Sequence, residues 1–465
     1  MSFTKSLLLG SAAVLATVVG AQAADLPSKK AAPATYVKIC DAYGAGFFFI
    51  PGSETCVKLG GYVRAEYQYV PGKDTINIAT GAIQQSKNIQ AETGFEARGR
   101  IDVDARTPTA MGVARTFVRL RAANNSGIRN SGTPLVDKTA YAQSDNSATS
   151  ITIESAMVQW AGFTFGVGPE NYAFMPPFMY IGTAWAGFPS GMKQIAYTAN
   201  LGGGLSATIA LEDRKDFGYD QTAFDRPATA ANLVANIRTD QSWGYVALHG
   251  LIGNNGVNKT SVTGTVSGVD GTAGQKTYTG WAIGVTASYK LPMIAAGDQI
   301  WVTANYADGA IGALLGSSGL NNISTIAQRR LLGGVIRVDN NVQATGAGLG
   351  TVASPTVYDS TTGWNVGTIF THYWAPQWRS NFGAAYIELS PPTSTLTSAW
   401  GKGKLWEVGA NIIYSPVKDF DIGLELLYAN MKNKVQNPTA AFLAAGSPGL
   451  SENNITTKLR IERQF

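Results

Sequence analysis

Charged and uncharged residues alternate along the segment ETGFEARGRIDVDART, residues 92–107. A period of two is typical of an extended strand, because successive side chains point to opposite faces of a sheet. In a soluble sandwich the charged face would point outward to water. In a membrane barrel, lipid takes the uncharged face and a water-filled lumen takes the charged one. The charged positions of this segment are Glu92, Glu96, Arg98, Arg100, Asp102, Asp104 and Arg106.

The same alternation recurs along the chain, in segments joined in turn by short and long connections. This sorting predicts an all-β, antiparallel transmembrane β-barrel of about 16 strands, with short turns at one end and long loops at the other. The connection 308–361 could hold a further hairpin, so a count of about 18 stays open. The predicted strands are 57–70, 92–106, 113–122, 150–160, 163–168, 193–200, 204–212, 231–238, 242–251, 277–290, 299–307, 362–374, 378–389, 404–415, 419–430 and 453–465.

The N-terminus has the features of a secretory signal peptide. Lys5 precedes an apolar stretch at 7–19, and the small residues of AQA, ending at Ala23, have the spacing that signal peptidase recognises. The apolar stretch is short for a transmembrane helix. No later apolar run is long enough to span a bilayer, so a membrane location would require a closed barrel. The expected divisions are a signal peptide at 1–23, a periplasmic-side segment at 24–56 and the barrel at 57–465.

Composition argues against two other classes of protein. Charged residues make up 14% of the chain, and the formal net charge of +5 comes without a basic cluster, which argues against a nucleic-acid partner. The two histidines, His249 and His372, lie among aromatic residues near predicted strand ends. Neither has a Ser, Asp or Glu at a spacing typical of a catalytic pair. We therefore interpret both as members of an aromatic belt at the membrane interface, and predict no enzyme, no cofactor and no metal site.

The two cysteines, Cys40 and Cys56, lie close together in an exported chain. Such a pair predicts a structural disulfide, since export leads to an oxidising compartment. Closing a loop of about 15 residues contributes roughly 3 kcal/mol in the chain-entropy model.

The last predicted strand, NNITTKLRIERQF, ends at Phe465. Its apolar residues alternate with Lys458, Arg460, Glu462 and Gln464. A terminal aromatic on an amphipathic strand resembles the assembly signal of outer-membrane barrels. Aromatic residues near strand ends also fit girdles at the two interfaces. They are Tyr67, Tyr69, Trp160, Trp243, Tyr245, Tyr373, Trp374, Trp378, Tyr414 and Tyr428.

Three stretches closely resemble the alphaproteobacterial porin family. They are YVKICDAYGAGFFFIPGSETCVKLGGYVRAEYQY (36–69), MVQWAGFTFGVG (157–168) and the ending LRIERQF. The resemblance implies a homotrimer of 16-stranded barrels in outer-membrane lipid, each barrel with its own channel for small hydrophilic solutes and ions. It also implies that the third external loop, residues 169–191 here, folds into the barrel and narrows it.

Charges on the predicted lumen face suggest a pore field. Arginines on neighbouring strands would form a basic ladder, interleaved with or opposed by acidic residues, that orients polar solutes. The alternative is a set of cross-strand ion pairs that stiffens the wall, and the two are compatible. The predicted pore-lining residues are Arg64, Glu66, Glu96, Arg98, Arg100, Asp102, Asp104, Arg115, Arg119 and Arg121.

The loop 169–191 carries one charge, Glu170, and many aromatic residues. We expect it to act as a size filter that packs on the wall through its aromatics. Two alternatives remain: a substrate-specific channel for sugars or anions, and a soluble secreted binding module. The predicted constriction residues are Glu170, Asn171, Tyr172, Phe174, Tyr180 and Trp185.

Overall fold

The computed structural model describes a large part of the chain. The described residues are 38–71, 75–76, 83–84, 92–129, 148–181, 191–213, 230–256, 277–315, 340–344, 356–391, 399–446 and 449–465. In these ranges no helix is long and apolar enough to cross a membrane.

Within the described residues, sixteen antiparallel strands form one closed barrel, as the alternating pattern predicts. A two-residue strand, Phe48–Phe49, adds to the start of the first strand. The barrel strands are β1 (Cys56–Tyr69), β2 (Thr93–Thr109), β3 (Gly112–Asn125), β4 (Ala148–Trp160), β5 (Phe163–Gly168), β6 (Met192–Gly202), β7 (Leu205–Glu212), β8 (Asn232–Gln241), β9 (Gly244–Gly256), β10 (Thr277–Lys290), β11 (Gln299–Asp308), β12 (Thr362–Ala375), β13 (Trp378–Ser390), β14 (Ala399–Val417), β15 (Phe420–Gln436) and β16 (Gly449–Gln464).

The barrel closes where the first strand meets the last. β1 pairs with β2 on one side and β16 on the other. Phe465 extends this seam, since its backbone exchanges two hydrogen bonds with Gly61 at 3.1 and 3.2 Å. A Cβ atom at Gly61 would lie 2.1 Å from the carbonyl oxygen of Arg100, so this contact between strands requires glycine. Phe465 therefore takes part in closure; its role in assembly stays a prediction.

The alternation sorts side chains between the two faces of the barrel. On β2 the odd-numbered apolar residues Phe95 and Ile101 are exposed on the outer surface. The even-numbered neighbours Glu96 and Asp104 are buried on the inner face. The outer face carries aromatic pairs near the strand ends, for example Trp281 with Tyr306 and Trp378 with Tyr414. This is the arrangement expected where lipid, not water, covers the outside.

Strand count and some strand ends are refined by the structure. A hairpin of Asn340–Ala344 and Thr356–Ser360 does lie in the connection 308–361, but it forms a separate two-stranded sheet. The predicted 404–415 was too short, because β14 runs from Ala399 to Val417 and pairs with β15 at both of its ends. Arg463, on the outer face, donates to the carbonyl of Lys418 in the neighbouring turn.

The N-terminal segment is tied to the base of the barrel. Cys40 and Cys56 are both buried and form the predicted disulfide. The guanidinium of Arg106 lies over the ring of Phe47, 4.9 Å from its centroid, and Lys58 lies over the same ring. The segment from residue 38 therefore packs against the inner face at the short-turn end.

Candidate pore constriction

Residues 169–181, which we call the strap, follow β5 and run across the inside of the barrel. The start of the strap is held by the buried carboxylate of Glu212 on β7. Glu212 accepts hydrogen bonds from the backbone and side-chain amides of Asn171 at 2.8 and 2.7 Å. The Asn171 side chain also donates to Gln194 at 2.7 Å, and the Asn236 side chain donates to the backbone carbonyl of Asn171 at 2.9 Å. Three strands, β6, β7 and β8, therefore fix one residue of the strap.

The middle of the strap packs on aromatic side chains of the wall. The ring of Tyr172 is fully buried and meets His249 edge-on at 4.6 Å, while Phe174 lies 5.5 Å from the same imidazole. The Tyr245 hydroxyl donates to the carbonyl of Phe174 at 2.5 Å. Burial holds the pKa of the Tyr172 hydroxyl above its usual range, so the group stays neutral.

Three assignments to the aromatic belt were wrong: those of His249, Tyr245 and Tyr373, the last of which lines a cavity inside the barrel. His249 and Tyr245 lie on the inner face, because every second residue of β9 from Tyr245 to Leu251 is buried. The strap covers both side chains. His372 fits its assignment. It lies between Phe370 and Trp374, and it also contacts Asp298 at 2.6 Å.

The far end of the strap is held by a second buried glutamate. Glu425 on β15 accepts hydrogen bonds from the backbone amides of Tyr180 and Ile181 at 2.7 and 2.6 Å. The Tyr180 carbonyl accepts from Lys458 at 2.8 Å, and the guanidinium of Arg460 lies 3.9 Å from the centre of the Tyr180 ring. The backbone amide, the carbonyl and the ring of Tyr180 are therefore each fixed by the wall.

Glycines open space for this end of the strap. A Cβ at Gly423 would lie 2.1 Å from the Tyr180 hydroxyl oxygen, and a Cβ at Gly383 would lie 3.1 Å from Met179. Gly409 also faces Met179, and it pairs with Gly383 in the sheet. These inner-face positions on β13, β14 and β15 therefore form a floor on which Met179 and Tyr180 sit.

A different sector of the inner face carries the arginine wall, which we define as the six arginines of β2 and β3. Carboxylates on the same face pair with them, and two of these carboxylates are shared. Asp102 contacts Arg100 at 3.3 Å and Arg119 at 2.9 Å. Asp104 contacts Arg106 and Arg115, both at 2.9 Å. The wall consists of Arg98, Arg100, Arg106, Arg115, Arg119 and Arg121.

Register places several like charges directly opposite one another. Arg100 faces Arg121 across the β2–β3 pair. Arg64 faces Arg98 across the β1–β2 pair. Such pairs are unfavourable alone, and the neighbouring carboxylates offset them. Arg64, which lies next to the wall on β1, donates to Glu462 at 2.6 Å. The six arginines of the wall outnumber their four carboxylate partners, Glu96, Asp102, Asp104 and Glu154, so ion pairing and a net basic surface coexist.

Aromatic rings keep the guanidinium groups in place. The ring of Tyr62 lies between Arg64 and Arg100, at 4.6 and 4.2 Å from the two guanidinium carbons. Phe117 lies between Arg115 and Arg119 in the same way, at 4.9 and 5.2 Å. Stacking of this kind limits the rotamers of long side chains and leaves their charges facing the lumen.

A cavity of about 430 Å³ lies between the strap and the short-turn end of the barrel. Its surface combines aromatic rings with guanidinium and carboxylate groups. Arg379 pairs with Asp421 at 2.5 Å on one side. The cavity is lined by, among others, Phe178, Tyr180, Trp301, Arg64, Arg379 and Arg460.

Several of these residues were missed by sequence reasoning. Glu154 pairs with Arg121 at 2.9 Å, and it is the extra residue of a β-bulge that breaks the alternation of β4. Glu425 and Glu212 lie on predicted strands, and their inner-face positions were the available signal. Among the predicted loop residues, Glu170 is buried and Trp185 lies outside the described residues.

A closed antiparallel barrel with a lipid-type outer face and a polar, strapped interior defines a channel protein of the outer membrane. The family model described as the porin subfamily matches residues 25–457 of this chain. The chain therefore belongs to the porin family.

Curated relatives are similar to this chain in sequence, and a solved structure shares its fold. The chain is 34% identical over 255 residues to porin Omp2b of Brucella suis, which covers 52% of this chain and 64% of that protein. It is 33% identical over the same length to porin Omp2b of Brucella melitensis. The alignments thus span less than two thirds of these relatives. The outer membrane channel DcaP of Acinetobacter baumannii has the same fold, with a TM-score of 0.58 at 17% identity over 90% of this chain and 99% of that one.

Proposed function

We propose that the protein is a general-diffusion porin, whose water-filled channel passes small hydrophilic solutes and ions between the strap and the arginine wall. One observation carries this proposal. The strap is fixed at both ends to strands β6–β8 and β13–β16, while Arg100, Arg115, Arg119 and Arg121 on a different sector keep between 23% and 27% of their side-chain surface exposed. A passage lined on one side by water-accessible guanidinium groups suits polar solutes.

The two sides of this passage contribute differently to selection. The strap contributes bulk and few charges, so it sets the width available to a solute. The arginine wall contributes a field that orients dipoles and acts on ions. Apolar solutes are disfavoured, because entering the passage would displace water from the guanidinium and carboxylate groups without replacing its hydrogen bonds.

We also propose a homotrimer as the working assembly. The outer face of β2 carries the small residues Ala97, Gly99 and Ala105, which allow close approach of a neighbouring barrel. Cross-linking in native membranes, followed by denaturing electrophoresis, tests this directly. A ladder that ends at three subunits is expected, and a ladder that ends at one or two contradicts it.

Planar-bilayer recording of the purified protein tests the channel itself. Large ohmic steps that close in thirds are expected, and a salt gradient gives the sign of the ion preference. Deleting residues 172–186 should raise the single-channel conductance, because it removes the part of the strap that lies in the lumen. An unchanged conductance would place the narrowest point elsewhere.

A solute-specific channel is the second candidate, favoured by the cavity below the strap. Phe178, Tyr180 and Trp301 line this cavity, together with Arg64, Arg379 and Arg460. Rings and guanidinium groups together suit sugars or small organic anions. Saturation of the conductance block by one solute at rising concentration would support this function, and a linear response to all solutes would support general diffusion.

A further inference from the structure

A second segment besides the strap folds back into the barrel. Residues 309–314, which we call the mouth turn, follow β11 at the long-loop end and include most of a single helical turn, Gly312–Leu315. Every residue of the mouth turn is buried, with Ile311 2% and Leu314 0% exposed. The backbone amides of Ala313 and Leu314 donate to carbonyls three residues earlier, at 3.0 and 2.9 Å. The mouth turn is therefore a compact, packed unit.

Two glycines show that the mouth turn lies on the inner face of the wall. A Cβ atom at Gly280 of β10 would lie 2.3 Å from the carbonyl oxygen of Gly309. A Cβ atom at Gly363 of β12 would lie 3.0 Å from a methyl group of Leu314. Both glycines are buried, and the next residue along each strand is a tryptophan exposed on the outer face. Because β10 and β12 flank β11 in the sheet, the mouth turn covers the lumen face of three adjacent strands.

The end of the mouth turn is fixed well inside the barrel. The side-chain amide of Asn365 donates to the backbone carbonyl of Leu314 at 2.5 Å, and that of Asn305 donates to Asn365 at 2.8 Å. Asn365 is the sheet partner of Asn305, three residues before β11 ends at Asp308. Three strand residues span about 10 Å. The mouth turn therefore reaches about that far below the end of its own strand.

A buried row of hydrogen bonds connects this anchor with the wall beneath the strap. Asn305 donates to the Thr303 hydroxyl at 3.1 Å. The Thr303 hydroxyl is 2.9 Å from that of Thr286, which is 3.1 Å from the imidazole of His249. His249 is the residue on which Tyr172 of the strap packs. One polar network therefore supports both segments that enter the lumen.

Next to this network the inner face becomes apolar, whereas the interior of a water-filled barrel is usually polar. Leu389 and Leu314 lie side by side, since they would be 2.5 and 3.0 Å from a Cβ atom at Gly363. Ile311 and Leu314 belong to one buried cluster with apolar side chains of β13, β14 and β15. Each of these wall residues is at most 2% exposed, and they are Ile387, Leu389, Leu405 and Met431.

We propose that the mouth turn is a second constriction, in series with the strap, which limits the size of the solutes that enter from the external side. Its bulk occupies the sector of β10–β12 and leaves the sector of the arginine wall open. Apolar groups give water no hydrogen-bond partner, so they narrow the wet passage further. This inference rests on the proposed channel function, because a second constriction acts only in a water-filled lumen.

The test uses the full protein in planar bilayers, with polyethylene glycols of increasing size added to one side at a time. A polymer that enters the lumen lowers the conductance, so each side has its own size cut-off. L314N places an amide among apolar side chains, and an unpaired buried amide shifts the turn out of its site by about five- to 150-fold. The cut-off should rise on one side of the membrane only, and the opposite side should keep the wild-type value.

L443N is the matched control, because Leu443 lies in another helical turn at the long-loop end, Ala440–Ala444, but is 53% exposed. It should keep both wild-type cut-offs. Heat-modifiable gel mobility confirms the barrel, and hydrogen exchange at the amides of residues 313 and 314 reports whether the mouth turn has left the wall. If L314N does not form the barrel, N365A replaces it, since this variant lacks the donor to the Leu314 carbonyl and should shift the same cut-off less.

Two results would overturn the proposal while leaving the channel function intact. In the first, the amides of L314N exchange rapidly but both cut-offs stay as in the wild type, so the mouth turn does not limit entry. In the second, the cut-off rises equally on both sides, so the turn and the strap are not separate constrictions. A wild-type protein without conductance steps is a different result, because it contradicts the proposed channel and the second constriction with it.

Discussion

The strap-bearing wall and the arginine wall of one barrel fix their polar groups in two different ways. On the strap side, the buried carboxylates of Glu212 and Glu425 each accept backbone amides of the strap, over distances of 2.6–2.8 Å. On the arginine side, carboxylates such as Asp102 are shared between guanidinium groups that stay partly exposed. The first arrangement fixes geometry and the second leaves charge accessible to water. Substitutions on the two walls should therefore change different properties of the channel.

The largest effect is expected from Glu425→Ala. It leaves the backbone amides of Tyr180 and Ile181 without their acceptor, at a cost of about 1–3 kcal/mol for each buried group. The far end of the strap should detach, and single-channel conductance should rise with added noise. Glu388→Ala on the outer face is the control. A quiet channel of unchanged conductance would mean that the strap does not depend on this anchor.

A somewhat smaller effect is expected from Gly423→Val. The new side chain would collide with the Tyr180 ring, whose hydroxyl lies 2.1 Å from the ideal Cβ position. Overpacking of this kind costs about 1–3 kcal/mol. The ring should move into the cavity and lower the conductance. Gly250→Val is the matched control on a strand, because its Cβ position has only the Ala282 carbonyl oxygen within 4 Å, at an ordinary contact distance of 3.6 Å. A fall in conductance in both variants would point to a general distortion of the barrel.

On the arginine wall, Asp102→Asn and Arg119→Gln should have opposite effects on ion preference. Asp102→Asn removes the carboxylate shared by Arg100 and Arg119 and should shift permeability toward anions. Arg119→Gln should shift it toward cations. A unit charge about 8 Å from an ion acts with about 0.5 kcal/mol in water, which is about a twofold change in permeability ratio. Reversal potentials under a salt gradient measure it. Shifts of the same sign in both variants would contradict a field set by this wall.

The smallest effect on the channel is expected from the pair Cys40→Ser and Cys56→Ser. The disulfide lies at the short-turn end, where Cys56 pairs with Arg106 at the edge of the arginine wall, four register positions from the partner of Asp102. Its loss should lower the free energy of unfolding by about 3 kcal/mol. The temperature at which the barrel loses its folded gel mobility measures this change. Conductance and ion preference should stay as in the wild type. A changed conductance would show that the N-terminal segment also shapes the lumen.

Much of the fold followed from local pattern. The segment 92–106 appears as β2, Thr93–Thr109, with its charges on the inner face. Alternation with a period of two is a property of one strand, and lipid and water select opposite faces of it. For this reason the strand positions and most of the inner and outer faces could be predicted from the sequence by itself. The disulfide was predictable for a different reason, because an exported chain with two close cysteines is expected to pair them.

The candidate site depended on contacts between distant parts of the chain. Tyr180 meets Glu425 across 245 sequence positions, and no local pattern marks that pair. The inward position of His249 follows from the alternation of its strand, but its contact with Tyr172 depends on the strap, and the place of Glu154 follows from a bulge. The sequence determined which residues could face the lumen, because alternation is local. The tertiary structure alone decided which of them hold the strap and which remain open to water, because closure of the barrel sets those distances.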